Sequence, residues 1–296
     1  MATVTVLDGG MGRELMRIGA PFRQPEWSAL ALMEGPEWVV RAHRNFIDAG
    51  AQVITTNSYA IVPFHIGDDR FARDGRELAA LSGRLAREAA ATYEGVTVAG
   101  SLPPLFGSYR PDLFDAAAAP AIIDPLVDGL HDHVDVWLGE TLSSIAEVQA
   151  IRAALDRKGG SAKPLWISYY LHHQDLGMLA SGESVSDAVK AAIDLGASAV
   201  MFNCSQAELI SAAIPIAVAA AHDRARVGGY ANRFIASPTP ASEANNGLSN
   251  FRDELDPATY CTFVSDWLAA GATMVGGCCG MTPEHIAAIA ALVQAT

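Results

Sequence analysis

The chain has 296 residues, 50% of them apolar and only 18% charged, with a net charge of −13. That balance excludes nucleic acid as a partner, since nucleic acid needs a basic face, and no apolar run is long enough to span a membrane. The start, Met1-Ala2-Thr3-Val4, lacks a basic signal-peptide head, and four cysteines in so long a chain make no disulfide framework, so a soluble cytoplasmic protein is expected.

Short β-rich apolar runs alternate with longer helical stretches along the whole chain. The first strand is expected at Val4–Leu7 and runs into Asp8-Gly9-Gly10-Met11-Gly12. A helix over Pro36–Ala49 precedes the second strand, Val53–Thr56, which delivers Asn57. A helix over Arg70–Tyr93 leads to the third strand, Val96–Gly100, and Ser101. The fourth strand, Val134–Leu138, is followed by Glu140 and a helix over Leu142–Arg157. The fifth, Leu165–Tyr169, precedes His172-His173 and a helix over Ser184–Leu195. The sixth, Ala199–Phe202, runs into Asn203-Cys204 and a helix over Ala207–Ala221. The seventh, Ala225–Tyr230, precedes Asn232 and a helix over Pro257–Ala270. The eighth, Thr273–Val275, ends in Gly276-Gly277-Cys278-Cys279-Gly280, and Thr282-Pro283-Glu284 opens a last helix with a cap residue, a proline and an acid.

Eight such strands predict an α/β fold: a single-domain (β/α)8 TIM barrel over residues 1–296. The competing open doubly wound sheet lacks a Gly-x-Gly-x-x-Gly after its first strand. In a barrel, sites sit at the C-terminal strand ends. Those ends carry Asp8, Asn57, Ser101, Glu140, Cys204, Asn232, Cys278 and Cys279, so nearly every strand brings a polar or metal-binding side chain to one rim.

Adjacent cysteines rarely close a disulfide, but glycines on either side let both turn toward one ion. With Cys204 as a third thiol and no fourth ligand evident, the pattern predicts an open zinc site rather than buried core cysteines. Three thiolates make zinc a poor Lewis acid for a carbonyl but suit it to holding a substrate thiol ionised, which implies thiolate attack on an electrophilic carbon. Asp8 could bind a ligand or cap the next helix, and Glu140 could hold an ammonium group or pair with an arginine. Together at one rim they suggest an amino-acid site. Cys261 is expected to be structural, His172 and His173 to be loop residues pointing apart, and His43, His131 and His133 to face solvent. The five tryptophans, Trp27, Trp38, Trp137, Trp166 and Trp267, are expected in the core or barrel shell.

Asp8-Gly9-Gly10-Met11-Gly12, Thr55-Thr56-Asn57-Ser58-Tyr59, Glu140-Thr141, Asn203-Cys204 and Gly276-Gly277-Cys278-Cys279-Gly280 together resemble the zinc-dependent homocysteine S-methyltransferases, across essentially the whole chain. The resemblance implies a barrel in which Cys204, Cys278 and Cys279 hold Zn2+ and the zinc binds homocysteine sulfur. It further implies that Asp8 and Glu140 take the amino group, that Gly9 and its neighbour Gly10 meet the carboxylate with backbone amides, and that Asn57 and Asn232 line the site. The reaction would then be in-line methyl transfer from an onium donor, giving methionine, with orientation supplying much of the rate. S-methylmethionine is the first choice of donor, ahead of S-adenosylmethionine, betaine or another sulfonium. Tyr59, Tyr169, Tyr170 and Trp166 are the aromatic candidates for a cationic ligand.

The chain departs from the family at Ala231-Asn232-Arg233-Phe234, where the family shows Pro-Asn followed by a small residue, Gly and Glu: Asn232 carries over and the acidic position does not. A lysine-dependent aldolase would need a lysine at a strand's C-terminal end, which Lys158, Lys163 and Lys190 do not supply. A non-catalytic zinc- or thiol-sensing protein could use the same three cysteines, and a homo-oligomer is compatible with the sequence.

Overall fold

The computed structural model describes residues 3–235 and 250–295. Eight parallel strands form its centre: β1 (Thr5–Val6), β2 (Val53–Thr55), β3 (Thr97–Leu102), β4 (Val136–Leu142), β5 (Leu165–Tyr169), β6 (Ala197–Asn203), β7 (Arg226–Tyr230) and β8 (Met274–Val275). Their hydrogen-bonded order is β1-β8-β7-β6-β5-β4-β3-β2. The two ends of that order meet through a parallel bridge between Leu7 and Val53 and a 2.8 Å bond from the Gln52 amide to the Val6 carbonyl, which close the barrel.

Around the sheet lie α1 (Met11–Ile18), α2 (Ser28–Glu34), α3 (Pro36–Asp48), α4 (Pro63–Ile66), α5 (Asp68–Ala90), α6 (Ala119–Leu130), α7 (Ile145–Arg157), α8 (Val185–Asp194), α9 (Ala207–Ala221), α10 (Pro257–Ala269) and α11 (Pro283–Ala295). Local chemistry fixes several of their starts. Ser144, Ser184 and Asp256 accept hydrogen bonds from the amides of Glu147, Asp187 and Thr259, which satisfies amides the helix leaves without partners. Among the described residues no helix is long and apolar enough to cross a membrane.

The apolar residues segregate into two layers. Leu7, Val53, Ala99, Val136, Leu138, Ala199, Met201 and Met274 fill the barrel interior, each strand turning alternate residues inward. The larger layer lies between sheet and helices and includes Phe46, Trp137, Phe202 and Trp267, each at most 1% exposed. Truncating one such side chain to alanine costs about 3–5 kcal/mol, because the cavity left behind collapses only in part.

Three expectations need correction. β4 runs on to Leu142, with an irregular register between Gly139 and Leu142, so Glu140 belongs to the strand and α7 begins only at Ile145. His43 does not face solvent: it is 0% exposed, because α3 packs against α1, α2 and α5, and burial pushes its pKa down to about 3. Additional helices, α2, α4 and α6, also appear. α6 carries Pro120 in its first turn and Pro125 within it, which hides the helix in the sequence pattern.

Candidate metal and substrate site

Cys204 directly follows β6 in a left-handed conformation, φ 52°, unusual for a residue with a side chain. Cys278 and Cys279 follow β8 in a loop that only glycine can build so tightly. A Cβ at Gly276 would lie 2.6 Å from the Leu7 Cβ, and Gly280 has φ 84°. The loop is fixed by bonds from the Cys278 amide to the Ala231 carbonyl, 2.9 Å, and from the Arg233 amide to the Cys279 carbonyl, 2.8 Å. The Cys204 sulfur stands 3.1 Å from that of Cys278 and 3.7 Å from that of Cys279.

Those distances suit a metal. Tetrahedral zinc with Zn–S bonds of ≈ 2.3 Å sets sulfurs roughly 3.8 Å apart, and all three Sγ atoms here lie within 4.8 Å of one another. Hydrogen bonds from Cys278, then Cys279, hold the Cys204 thiol well below the usual thiol range. Their hydrogen-bonding to Cys204, reinforced by burial and its charge, pushes the other two up. A cation at the centre favours deprotonation of all three. The cluster can therefore hold a metal ion. Cys261, on α10, lies outside it, as expected.

Asp8 feels the charge of Glu140, and Glu140 feels that of Cys204. Asp8 accepts bonds from the Thr55 amide, 2.7 Å, and the Thr55 hydroxyl, 3.2 Å, and does not cap α1. Glu140 accepts the Ser101 hydroxyl at 2.6 Å and the Tyr230 hydroxyl at 3.4 Å, with no arginine paired to it among the described residues. Burial, with a contribution from Glu140, pushes Asp8 up to about 8. Burial, with a contribution from the Cys204 charge, pushes Glu140 up to about 7. Asp8, buried, and Glu140, half-buried, have no basic partner among the described residues and make a receptor for an ammonium group.

The remaining expected residues divide. The Gly10 amide is taken by the Met281 carbonyl at 3.1 Å, so it is not a free donor for a carboxylate. Gly9 and Gly10 matter instead for close approach, since a Cβ would lie 2.7 Å from the carbonyl oxygens of Met281 and Cys278 respectively. Asn57 is buried and donates to the Ser28 carbonyl at 3.0 Å, tying the loop after β2 to α2. Asn232 donates to the Cys204 carbonyl and accepts from the Phe234 amide at 3.1 Å, bracing the turn that carries the thiol.

Of the aromatic candidates, Tyr59 and Tyr170 lie by the thiols: burial, then the charge of Cys204, raises both phenol pKa values. Tyr169 turns outward, its hydroxyl on the Ala188 carbonyl of α8 at 3.2 Å, and Trp166 packs against the barrel interior. The sequence reasoning missed Tyr109, whose hydroxyl donates to the Cys204 sulfur at 3.1 Å and whose ring lies 4.4 Å from that of Tyr170. It also missed Asn203 as more than a neighbour of Cys204. The Asn203 side chain accepts from the Thr141 amide, 3.1 Å, and the Ser168 hydroxyl, 2.7 Å, and points its own N–H toward the Cys278 sulfur at 3.8 Å. His172 and His173 take separate partners: His173 meets the Tyr170 hydroxyl, while His172 accepts from the amides of Gln174 and Asp175. Lys163 is bound to the Val134 carbonyl ahead of β4, at the wrong end of the barrel for a Schiff base.

Comparison with known proteins gives a consistent result. The sequence profile described as homocysteine S-methyltransferase matches residues 5–293. A homocysteine S-methyltransferase of Escherichia coli strain K12 is 29% identical over 97% of this chain and 94% of its own length. Homocysteine S-methyltransferase 1 of Zea mays is 26% identical over 98% and 94%, and a selenocysteine Se-methyltransferase of Brassica oleracea var. italica is 26% identical over 96% and 87%. Among solved structures, the metallated form of the homocysteine methyltransferase MmuM of Escherichia coli superimposes with a TM-score of 0.80 at 28% identity, covering 98% of this chain and 96% of the other.

Proposed function

Because this chain belongs to the homocysteine S-methyltransferase family, we propose that it transfers a methyl group from an onium donor, S-methylmethionine first, to L-homocysteine held at a zinc site. The observation that carries the reading is the juxtaposition of the Cys204, Cys278 and Cys279 thiols with two carboxyls, Asp8 and Glu140, that have no basic partner among the described residues. Zinc, when bound, supplies a charge that keeps the acceptor thiol ionised at neutral pH. Asp8 and Glu140 receive the substrate ammonium, the Gly9 turn approaches its carboxylate, and Asn57 and Asn232 brace the loops around it. Glu140 is kept in place by Ser101 and Tyr230. Tyr59 and Tyr170 present ring faces to a sulfonium or quaternary ammonium. The methyl group leaves the donor as its onium centre becomes neutral, and the residues contribute by aligning donor, methyl carbon and acceptor sulfur.

The test is methionine formation from homocysteine with S-methylmethionine, S-adenosylmethionine and betaine in parallel, on protein of measured zinc content. Turnover with S-methylmethionine and about one zinc per chain are expected. Metal-loaded protein that turns over none of them would favour the sensing role. Selenocysteine belongs in the same assay as an acceptor, because it occurs in the name of a relative that aligns over nearly the whole chain.

A further inference from the structure

Tyr109 lies in the loop between β3 and α6, outside every residue the proposed chemistry uses directly. Its hydroxyl donates to the Cys204 sulfur at 3.1 Å. Several restraints deliver it there. The ring is tilted against Tyr170 with centroids 4.4 Å apart, and the preceding residue, Ser108, is bonded to the Tyr59 hydroxyl at 2.9 Å. On the other side Arg110 pairs with Asp112 at 2.6 Å and its carbonyl accepts the Leu113 amide at 3.0 Å. The backbone of Tyr109 has φ 65°, a conformation that bulky side chains avoid and that persists only where the surroundings impose it.

We propose that Tyr109 is a positioning residue for the metal, its hydroxyl hydrogen-bonding the Cys204 thiolate and so setting how strongly that sulfur donates to the ion. Three thiolates around a divalent cation carry one excess negative charge, and an O–H directed at one of them draws part of it off. The thiolates are treated unequally. Cys204 receives this phenol at 3.1 Å, whereas the Asn203 amide stands 3.8 Å from Cys278. Tyr109 is the residue that tempers the donation of Cys204. The inference rests on the three thiols being a metal site, not on the identity of the methyl donor.

Tyr109→Phe removes the hydroxyl and keeps the ring on Tyr170. Zinc affinity is read by chelator competition, and the cobalt-substituted protein gives the sulfur-to-metal charge-transfer band. The variant is expected to bind one metal per chain with the wild-type melting temperature, about tenfold more weakly, with the charge-transfer band moved to lower energy. Wild-type affinity with an unmoved band overturns the proposal. So does a pattern in which Tyr109→Phe behaves as wild type and only Tyr109→Ala is impaired, since the ring alone would then matter. A weaker affinity and a shifted band support it whether or not methionine is formed, so failure of the methyltransferase reading is seen separately in the wild-type assay.

Discussion

On the proposed acceptor side of the three thiols the polar groups stand on or against strands, and on the proposed donor side they stand on loops. Glu140 lies within β4, Ser101 within β3, Tyr230 ends β7, and Asp8 is held by the amide of Thr55, the last residue of β2. Their spacing follows from the register of a closed sheet, which cannot slip without moving every inward residue outward. Tyr59, Tyr109 and Tyr170 instead come from the connections after β2, β3 and β5. Loops vary without disturbing the barrel. On that reading the same acceptor chemistry can be kept while the donor changes. Arg233, within the segment that departs from the family pattern, has its guanidinium 5.5 Å from the Phe251 ring beside Cys279.

The largest test of that division removes the element both sides share. Replacing Cys204, Cys278 or Cys279 by serine should abolish zinc retention and lower methyl transfer about a thousandfold or more, read by metal analysis and methionine formation. A zinc-free variant of full activity would sink the metal reading.

Glu140→Gln should raise the KM for homocysteine about ten- to a hundredfold, the worth of a charge-assisted hydrogen bond, and leave the donor KM alone. If the donor KM moves instead, the two sides have been assigned the wrong way round. Ionised carboxylates bind ammonium better, so with Glu140 near 7 and Asp8 near 8 in the free protein the wild-type homocysteine KM should fall as pH rises from about 6 to 8.5. Glu140→Gln should flatten that profile.

Tyr170→Leu should raise the donor KM about two- to thirtyfold, by loss of a ring face for the cation, with the homocysteine KM unchanged. Steady-state kinetics with each substrate varied separately would decide it.

The smallest effect concerns stability. Burial raises Glu147 to about 7 above its ordinary 4.5, so the folded state keeps a proton that the unfolded chain has released. That contribution is complete below about pH 4.5 and is lost as pH rises through about 7. The melting temperature of metal-free protein should decline over that interval, and less steeply in Glu147→Gln.

The same division explains what could be read in the sequence. The glycine-bracketed cysteines, Asp8, Glu140 and Cys204 sit at strand ends, and alternating strands and helices put those ends on one rim. Glu140 was displaced by a few residues because Gly139 and the irregular register near it disguise the last part of β4. Tyr109 left no signal of periodicity. It stands in Gly107-Ser108-Tyr109-Arg110-Pro111, and only the closed barrel brings that loop over β6. An aromatic two residues after glycine in a rim loop was the one available hint. His43 was misread because helix periodicity reports one buried face, whereas α3 is covered on several sides.

The close fit of Gly9 and Gly10 against the cysteine loop has a further consequence. A Cβ on either would come within 2.7 Å of a carbonyl oxygen of that loop, and the Gly277 amide bonds the Asp8 carbonyl at 3.0 Å. The turn bearing Asp8, the proposed ammonium-binding carboxyl, and the loop bearing two thiols are thus held tightly together. The separation of the two is a gauge of substrate length set by main chain rather than by adjustable rotamers. Cysteine, one methylene shorter than homocysteine, cannot reach both ends at once, and its rejection should exceed the roughly 1–3 kcal/mol that a pliable apolar pocket draws from a missing methylene.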